Sequence, residues 1–239
     1  MNQTLTIARR ELLSFFYSPI AYVVMGLFGF GSVLIFFNSF GPSEPAELRP
    51  TLEGLIWLLI FLVPAISMRL LSEELRSGTI EPLMTAPVKD TAVIIGKWLG
   101  AMGFFAALLT PLLVLVVVLE IYADPDLGPI TTGIVGMLLV GGLYLAIGTF
   151  ASAATQNQVI AFLITIFIIC LLTFLMYFLP RADFLSSGLK QTMHYLNVNQ
   201  QFEDFSKGLI DTSNFVYFAS GIVLFLFFAV KMLESRRWR

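Results

Sequence analysis

Apolar residues run along the chain in six long blocks, at positions 20–37, 52–71, 99–121, 133–153, 159–179 and 215–233. A helix rises about 1.5 Å per residue and the hydrocarbon core of a bilayer is about 30 Å thick, so each block suits one membrane crossing. The pattern predicts an all-α integral membrane protein, a single transmembrane domain over residues 1–239 with six transmembrane helices. Polar connectors separate the blocks: a Pro- and Glu-bearing stretch at 41–51, a charged one at 72–97, 122–132, a short turn at 155–158, and a longer segment at 180–214.

Residues 1–17 follow a different pattern. Leu5, Ala8, Leu12 and Phe15 recur at helical spacing, which turns Arg10, Glu11 and Ser14 elsewhere. Such a helix lies in the membrane interface instead of crossing it. Ser18-Pro19 ends it, because proline disfavours a helical residue before it. The expected shape is an elbow made by Arg9, Arg10, Glu11, Ser18 and Pro19 ahead of the first span. The late position of Arg9 and Arg10 and the long apolar block after Pro19 speak against a cleaved signal peptide. In the segment before the last span, Leu196, Phe202, Phe205, Leu209 and Ile210 are too apolar for a free loop. Asn197, Asn199, Glu203 and Asp204 are too polar for a span, so short helices at the interface are expected there.

Small residues mark close-packing faces: Gly96, Gly100, Gly103 and Ala107 on the third span, with Gly142/Ala146 and Gly148/Ser152 on the fourth. The spacing does not say whether these faces meet a neighbour in the same chain or a second chain; intrachain packing is the expectation for span four. Pro64 and Pro111 fall mid-span and predict bends.

Composition sharpens this picture. The chain is 57% hydrophobic and 13% charged with a mean hydropathy of +0.86, whereas soluble domains carry about 25% charged residues. A net charge of −2 offers no basic field for nucleic acid. Arg9, Arg10, Arg69, Arg76, Lys89, Lys97, Lys231, Arg236, Arg237 and Arg239 gather on one side of the six-span arrangement. Only Arg49, Arg181, Lys190 and Lys207 fall on the other, so both termini and residues 72–97 are expected in the cytoplasm.

Reactive chemistry is sparse. Charges within the predicted spans stand near their ends, at Glu53, Arg69, Glu120 and Lys231, and Arg69 and Lys231 are expected to reach the headgroups. The one histidine, His194, has no companion ligand, and the one cysteine, Cys170, reads as a small apolar filler of the fifth span. Lys97 follows Gly96, but Thr91 stands where a P-loop needs glycine, so no nucleotide motif is present. A secondary transporter, a channel or a membrane-embedded enzyme remain as alternatives. They would need intramembrane charge, broken midplane helices or a polar constellation in the 180–214 segment.

The connector at 72–97 is longer than two spans require. It alternates acids and bases through Glu73, Glu74 and Arg76, reaches Gly78, which permits a sharp turn, and continues in an amphipathic unit from Thr79, a candidate N-cap, to Thr85, closed by Pro87. A short helix held on two span ends suits the docking of another protein. Here the sequence resembles the ABC-2 family of permeases, in the pattern Glu73, Glu74, Gly78, Thr79, Glu81, Leu83, Thr85, Pro87 followed by Gly96-Lys97. Arg10-Glu11-Leu12, Ser18-Pro19-Ile20-Ala21-Tyr22 and the stretch from Phe202 to Asp211 fit as well, most like the gliding-motility-type bacterial subfamily. Pro82 and Met84 depart from the pattern. The resemblance implies an interfacial N-terminal elbow and a cytoplasmic coupling helix between spans two and three. It also implies a partly re-entrant helical pair before span six. It further implies a bacterial inner-membrane permease, an exporter, working as two permease chains, identical or related, with two ATPase subunits. ATP and Mg would sit on those partners, with no cofactor on this chain and lipid around it.

Overall fold

The computed structural model describes residues 3–39, 47–79, 88–123, 125–181 and 186–236, with the Arg236 side chain excepted. Among these, six helical stretches are long and apolar enough to cross a membrane, and the chain is a multi-pass membrane protein. A first helix, α1 (Gln3–Phe16), is followed by α2 (Pro19–Ser39) and α3 (Arg49–Ser67); a short α4 (Ser72–Ser77) follows. The third crossing is α5 (Asp90–Leu108) continued by α6 (Thr110–Tyr122), and the fourth is α7 (Leu127–Ala154). The fifth begins as α8 (Gln158–Cys170) and passes through a π-helical turn, Leu171–Leu175. Two short helices, α9 (Ser187–Leu196) and α10 (Val198–Ser206), precede the last crossing, α11 (Thr212–Arg236).

Side-chain caps set several of these ends. Asp126 accepts from the Gly128 amide at 2.9 Å to open α7, Asn157 accepts from Val159 at 2.9 Å to open α8, and Asn197 does the same for α10. Pro111 breaks the third crossing at Leu109, as expected of a mid-span proline. The Thr110 hydroxyl donates to the Ala107 carbonyl at 2.6 Å and takes up the acceptor that proline cannot serve. Pro64, by contrast, stays within α3, which ends at Ser67. The helix of the third crossing begins at Asp90, ahead of its apolar block, which places Gly96 and Lys97 inside the helix.

Helix α7 is the hub. It packs against α3, α5, α8, α10 and α11, and it is the most buried of the crossings. Its glycines make those approaches possible. A Cβ on Gly136 would lie 2.7 Å from Phe205 Cβ, and one on Gly133 or Gly141 would collide with Leu52 or Phe105. The Gly148/Ser152 face packs within the chain, against the end of α3. Ser152 does more than fill space. Its hydroxyl accepts from the Leu71 and Ser72 amides at 2.9 and 3.0 Å and donates to the Met68 carbonyl at 3.0 Å. The α3–α4 turn leaves these groups without helical partners, and a buried orphan would cost several kcal/mol in an apolar setting.

At the opposite end, α10 buries Val198, Phe202 and Phe205 between α3, α7 and α11. Among the described residues of the 180–214 segment, two short helices form, and the second of them is packed into the protein. Gly148→Ala would drive a Cβ into the Ser67 side chain. It should lower stability by about 1–3 kcal/mol, read as a fall in melting temperature in detergent, and Ser67→Gly in the same chain should recover part of the loss.

Candidate functional site

The glycine stripe of α5 receives α1. A Cβ on Gly96 would come within 2.9 Å of Ile7 Cβ and the Thr4 carbonyl, and one on Gly100 within 2.7 Å of Glu11 Cβ and 2.8 Å of the Ala8 carbonyl. Gly103 lies under Leu12. Phe15 continues the contact: it is 2% exposed and stacks on Phe104 with centroids 5.0 Å apart, and Phe16 meets the same ring edge-on. The buried face of α1 is therefore Ile7, Glu11 and Phe15 with Ala8 and Leu12, one helical stripe of i, i+4 steps. Two expectations change. Leu5 is 66% exposed, and Glu11 turns into the contact instead of away from it.

Glu11 is drawn inward by Lys97. The Lys97 side chain is 1% exposed, and its ammonium lies 3.1 Å from Glu11 Oε2 and 3.0 Å from Glu74 Oε1. Arg10 reaches the same Glu74 oxygen at 3.2 Å from the solvent side. One buried cation thus ties α1, α4 and α5 together, and its two carboxylates supply the charge that burial demands. Arg69, expected to reach the headgroups, instead clamps the bend after α1. It donates to the Ser18 hydroxyl at 2.5 Å, and its guanidinium lies 4.5 Å from the Phe15 ring centroid. Pro19 opens α2 directly beyond that bend.

Beside this cluster lies a cleft of about 590 Å³, lined by Arg10, Glu11, Ser18, Arg69, Glu73, Glu74, Thr79 and Lys97. It brings together residues of α1 and the bend after it with residues near the end of α3 and on α4, more than fifty positions apart in sequence. Glu73 is exposed at its edge. Glu74 Oε2 is shielded from solvent without a hydrogen-bond partner among the described residues. Gly78 ends α4 with φ 71°, the left-handed turn that glycine permits. Thr79 follows as a turn whose hydroxyl pairs with Ser77 at 2.8 Å. The helix here lies before Gly78; Glu81, Leu83, Thr85 and Pro87, and with them the amphipathic unit beyond Thr79, lie outside the described residues. Arg9 is exposed. Arg76 faces a second cleft, shared with Thr155, Gln156 and Asn157.

Among the described residues no group of three His, Cys, Asp or Glu side chains is placed to hold a metal. Lys97 and Arg69 were the residues whose roles pattern reading missed. A lysine between Gly96 and Gly100 was the available signal, since a face that admits a helix backbone at that distance must also bury what stands beside it. A family model described as ABC-2 family transporter protein matches residues 5–235. Comparison with curated proteins finds no match.

Lys97→Met should destabilise the chain by about 3–5 kcal/mol, because it strands Glu11. Glu11→Leu in the same chain removes the stranded charge and should restore most of that stability. Thermal unfolding of the single and double variants in one detergent measures both.

Proposed function

The chain belongs to the ABC-2 family of transporter proteins, and on that premise we propose that its charged cleft is where a partner ATPase drives it. The protein is the membrane, or permease, component of the transporter and not its catalytic subunit. Permeases of this family generally pair with ABC ATPase subunits. Two ATPases and a second permease chain, identical or related, complete the proposed unit. The gathering of lysine and arginine supports a cytoplasmic position for the termini and the cleft. The bacterial inner membrane, the exporting direction and the gliding-motility-type subfamily rest on the sequence resemblance at residues 10–22, 73–97 and 202–211.

One observation carries the coupling role: Lys97 joins α4, at the mouth of the connector, to both α1 and the third crossing through contacts of 3.0 and 3.1 Å. A force applied at Glu73, Thr79 or the residues beyond cannot move α4 alone without exposing or stranding a buried charge. The elbow helix α1 and the coupling segment then act on the crossing as one lever. Glu74 Oε1 takes both Lys97 and Arg10, at 3.0 and 3.2 Å, so a charge change at Glu74 would disturb the cluster as well as any docking contact. Glu74 is accordingly a structural as well as a docking residue, and it is not a clean probe of docking; Glu73 is.

Glu73→Lys should reduce ATPase co-purification and permease-stimulated ATP turnover about ten-fold, equivalent to about 1.4 kcal/mol, with an unchanged melting temperature. Glu47→Lys at the other end of the bundle should leave both at the wild-type level. Wild-type values for Glu73→Lys would remove the docking role. Orientation has its own test. In a Cys170→Ala chain, cysteines at the exposed Ser77 and Ser187 should label with an impermeant maleimide from opposite faces of the membrane, and labelling from one face would contradict the six-crossing arrangement.

A further inference from the structure

Two opposite charges line the charged cleft without meeting. Arg69 is half-buried; its guanidinium lies 4.5 Å from the Phe15 ring centroid and gives one N–H to the Ser18 hydroxyl. A guanidinium carries five N–H donors, and the others on Arg69 have no partner among the described residues. Arg10 and Lys97 in the same cleft both reach carboxylates, but Arg69 makes no ion pair among the described residues. Glu73, four positions on, is exposed and makes none either. Side chains at that spacing meet across one helical turn. Here α3 ends at Ser67 and α4 begins at Ser72, so no continuous helix brings the two together. The other acids of the cleft, Glu11 and Glu74, are committed to Lys97. A guanidinium that has lost part of its water and has no counter-charge calls for an anion.

The depth of the cleft narrows the choice of anion. The first apolar block begins at residue 20, the second ends at 71 and the third begins at 99, so Ser18, Arg69 and Lys97 stand together at one edge of the apolar layer. Tyr17, beside them, is 86% exposed, as suits an aromatic ring at headgroup level. Phe61 lies two i, i+4 steps ahead of Arg69, within α3, and is 56% exposed. An apolar surface thus leads from membrane depth toward the unpaired guanidinium. The hydroxyls of Ser14 and Tyr17 also line the cleft and have no hydrogen-bond partner among the described residues. Arginine takes phosphate with a fork of parallel N–H groups, and hydroxyls supply further donors.

We infer that this cleft seats the headgroup of a phospholipid with a primary ammonium, phosphatidylethanolamine. Its phosphodiester accepts from Arg69 and from the Ser14 and Tyr17 hydroxyls, its ammonium donates to Glu73, and an acyl chain lies toward Phe61. Phosphatidylglycerol answers Arg69 but sets a second anion beside Glu73 with no cation between them. Phosphatidylcholine carries both charges, but its ammonium has no N–H to give a carboxylate. A protein segment with one acid and one base meets the same two charges; the headgroup depth and the apolar approach favour the lipid. Glu73 also belongs to the proposed ATPase contact. The lipid is therefore measured on the permease chain alone, where its failure leaves ATPase docking untouched.

Native mass spectrometry tests it, on the full chain in a polyoxyethylene detergent. The probes are phosphatidylethanolamine, its N-monomethyl and N,N-dimethyl forms, phosphatidylcholine and phosphatidylglycerol, equimolar and with the same acyl chains. The wild-type chain should retain phosphatidylethanolamine about ten-fold over phosphatidylcholine and phosphatidylglycerol, a difference of about 1.4 kcal/mol. Retention should fall stepwise as N-methyl groups replace N–H. Glu73→Gln, at an exposed side chain, should bring phosphatidylethanolamine down to the phosphatidylcholine level, and Glu73→Asp should keep part of the preference. Glu47→Gln at the other end of the bundle should leave the ten-fold ratio intact. Arg69→Gln should lower retention of all the phospholipids; because Arg69 also clamps the bend, the Glu73 variants and the methylation series decide the matter without it. Equal retention in the wild type would overturn the inference and leave the two charges to a protein segment. A preference for phosphatidylglycerol, a flat methylation series, or a ten-fold ratio that survives Glu73→Gln would overturn it as well.

Discussion

A lysine with almost no contact with water governs this end of the molecule. Removing an ammonium from solvent costs several kcal/mol, and one carboxylate seldom returns more than that cost; the pair must be well placed and its other groups bonded. Lys97 has two carboxylates at hydrogen-bonding distance, from segments 86 and 23 residues away in sequence. Glu11 could not reach it unless α1 lay directly on α5, and only glycine at 96 and 100 allows that approach. The aromatic stack of Phe15 on Phe104 then closes the far end of the contact, and Arg69 closes the bend after it. Charge, glycine and aromatic ring are three parts of one solution: each is useful only where the other two hold the helices.

The same economy of small residues organises the centre of the bundle. Helix α7 is apolar all round, as a helix surrounded by protein on most sides should be. In lipid, helices gain little from hiding apolar surface from one another, so close packing and hydrogen bonds decide which pairs form. Gly133, Gly136, Gly141 and Gly148 each admit a different neighbour, respectively Leu52, Phe205, Phe105 and Ser67. Trp98 adds a directed bond from its indole N–H to the Gly142 carbonyl at 3.0 Å. Ser152 repairs the backbone where α3 ends. A single helix thereby sets the positions of the second, third and sixth crossings.

Much of this was legible in the sequence, and the failures have a common cause. Long apolar blocks reveal crossings because lipid tolerates nothing else, and the six blocks correspond to six helices. The same criterion does not show where the helix of the third crossing begins. Residues 90–98 include Asp90 and Lys97, which an apolar window rejects, yet they are helical, with both charged side chains buried against protein. The phase of α1 failed for the same reason. Leu5 is more apolar than Glu11, so a hydrophobicity criterion turns Leu5 inward, but the partner face holds a buried cation and selects Glu11. Local pattern carries no information on a partner 86 residues away. The turn at Gly78 was more legible, since that glycine acts on backbone within a few positions of itself.

The two ends of the bundle are built to different standards of rigidity. Far from the N-terminal helix, Arg49, Glu53, Glu203 and Lys207 form a network whose side chains are 36–42% exposed. Solvent screens such pairs, so they contribute little, and Phe202 and Phe205 do most of the holding. The Lys97 cluster has no such slack: any rearrangement that keeps it dry must carry α1, α4 and α5 together. That body has a natural limit. At Leu109 the third crossing breaks, and beyond the break α6 packs chiefly on α2, whereas α5 packs on α1, α7 and α11. Because Thr110 already satisfies the Ala107 carbonyl, the two halves can change their angle without orphaning a backbone group there. The Pro111 break therefore separates a segment locked by buried charge from one that packs chiefly by apolar contact on the first crossing, and motion of the locked segment need not be copied along the whole helix.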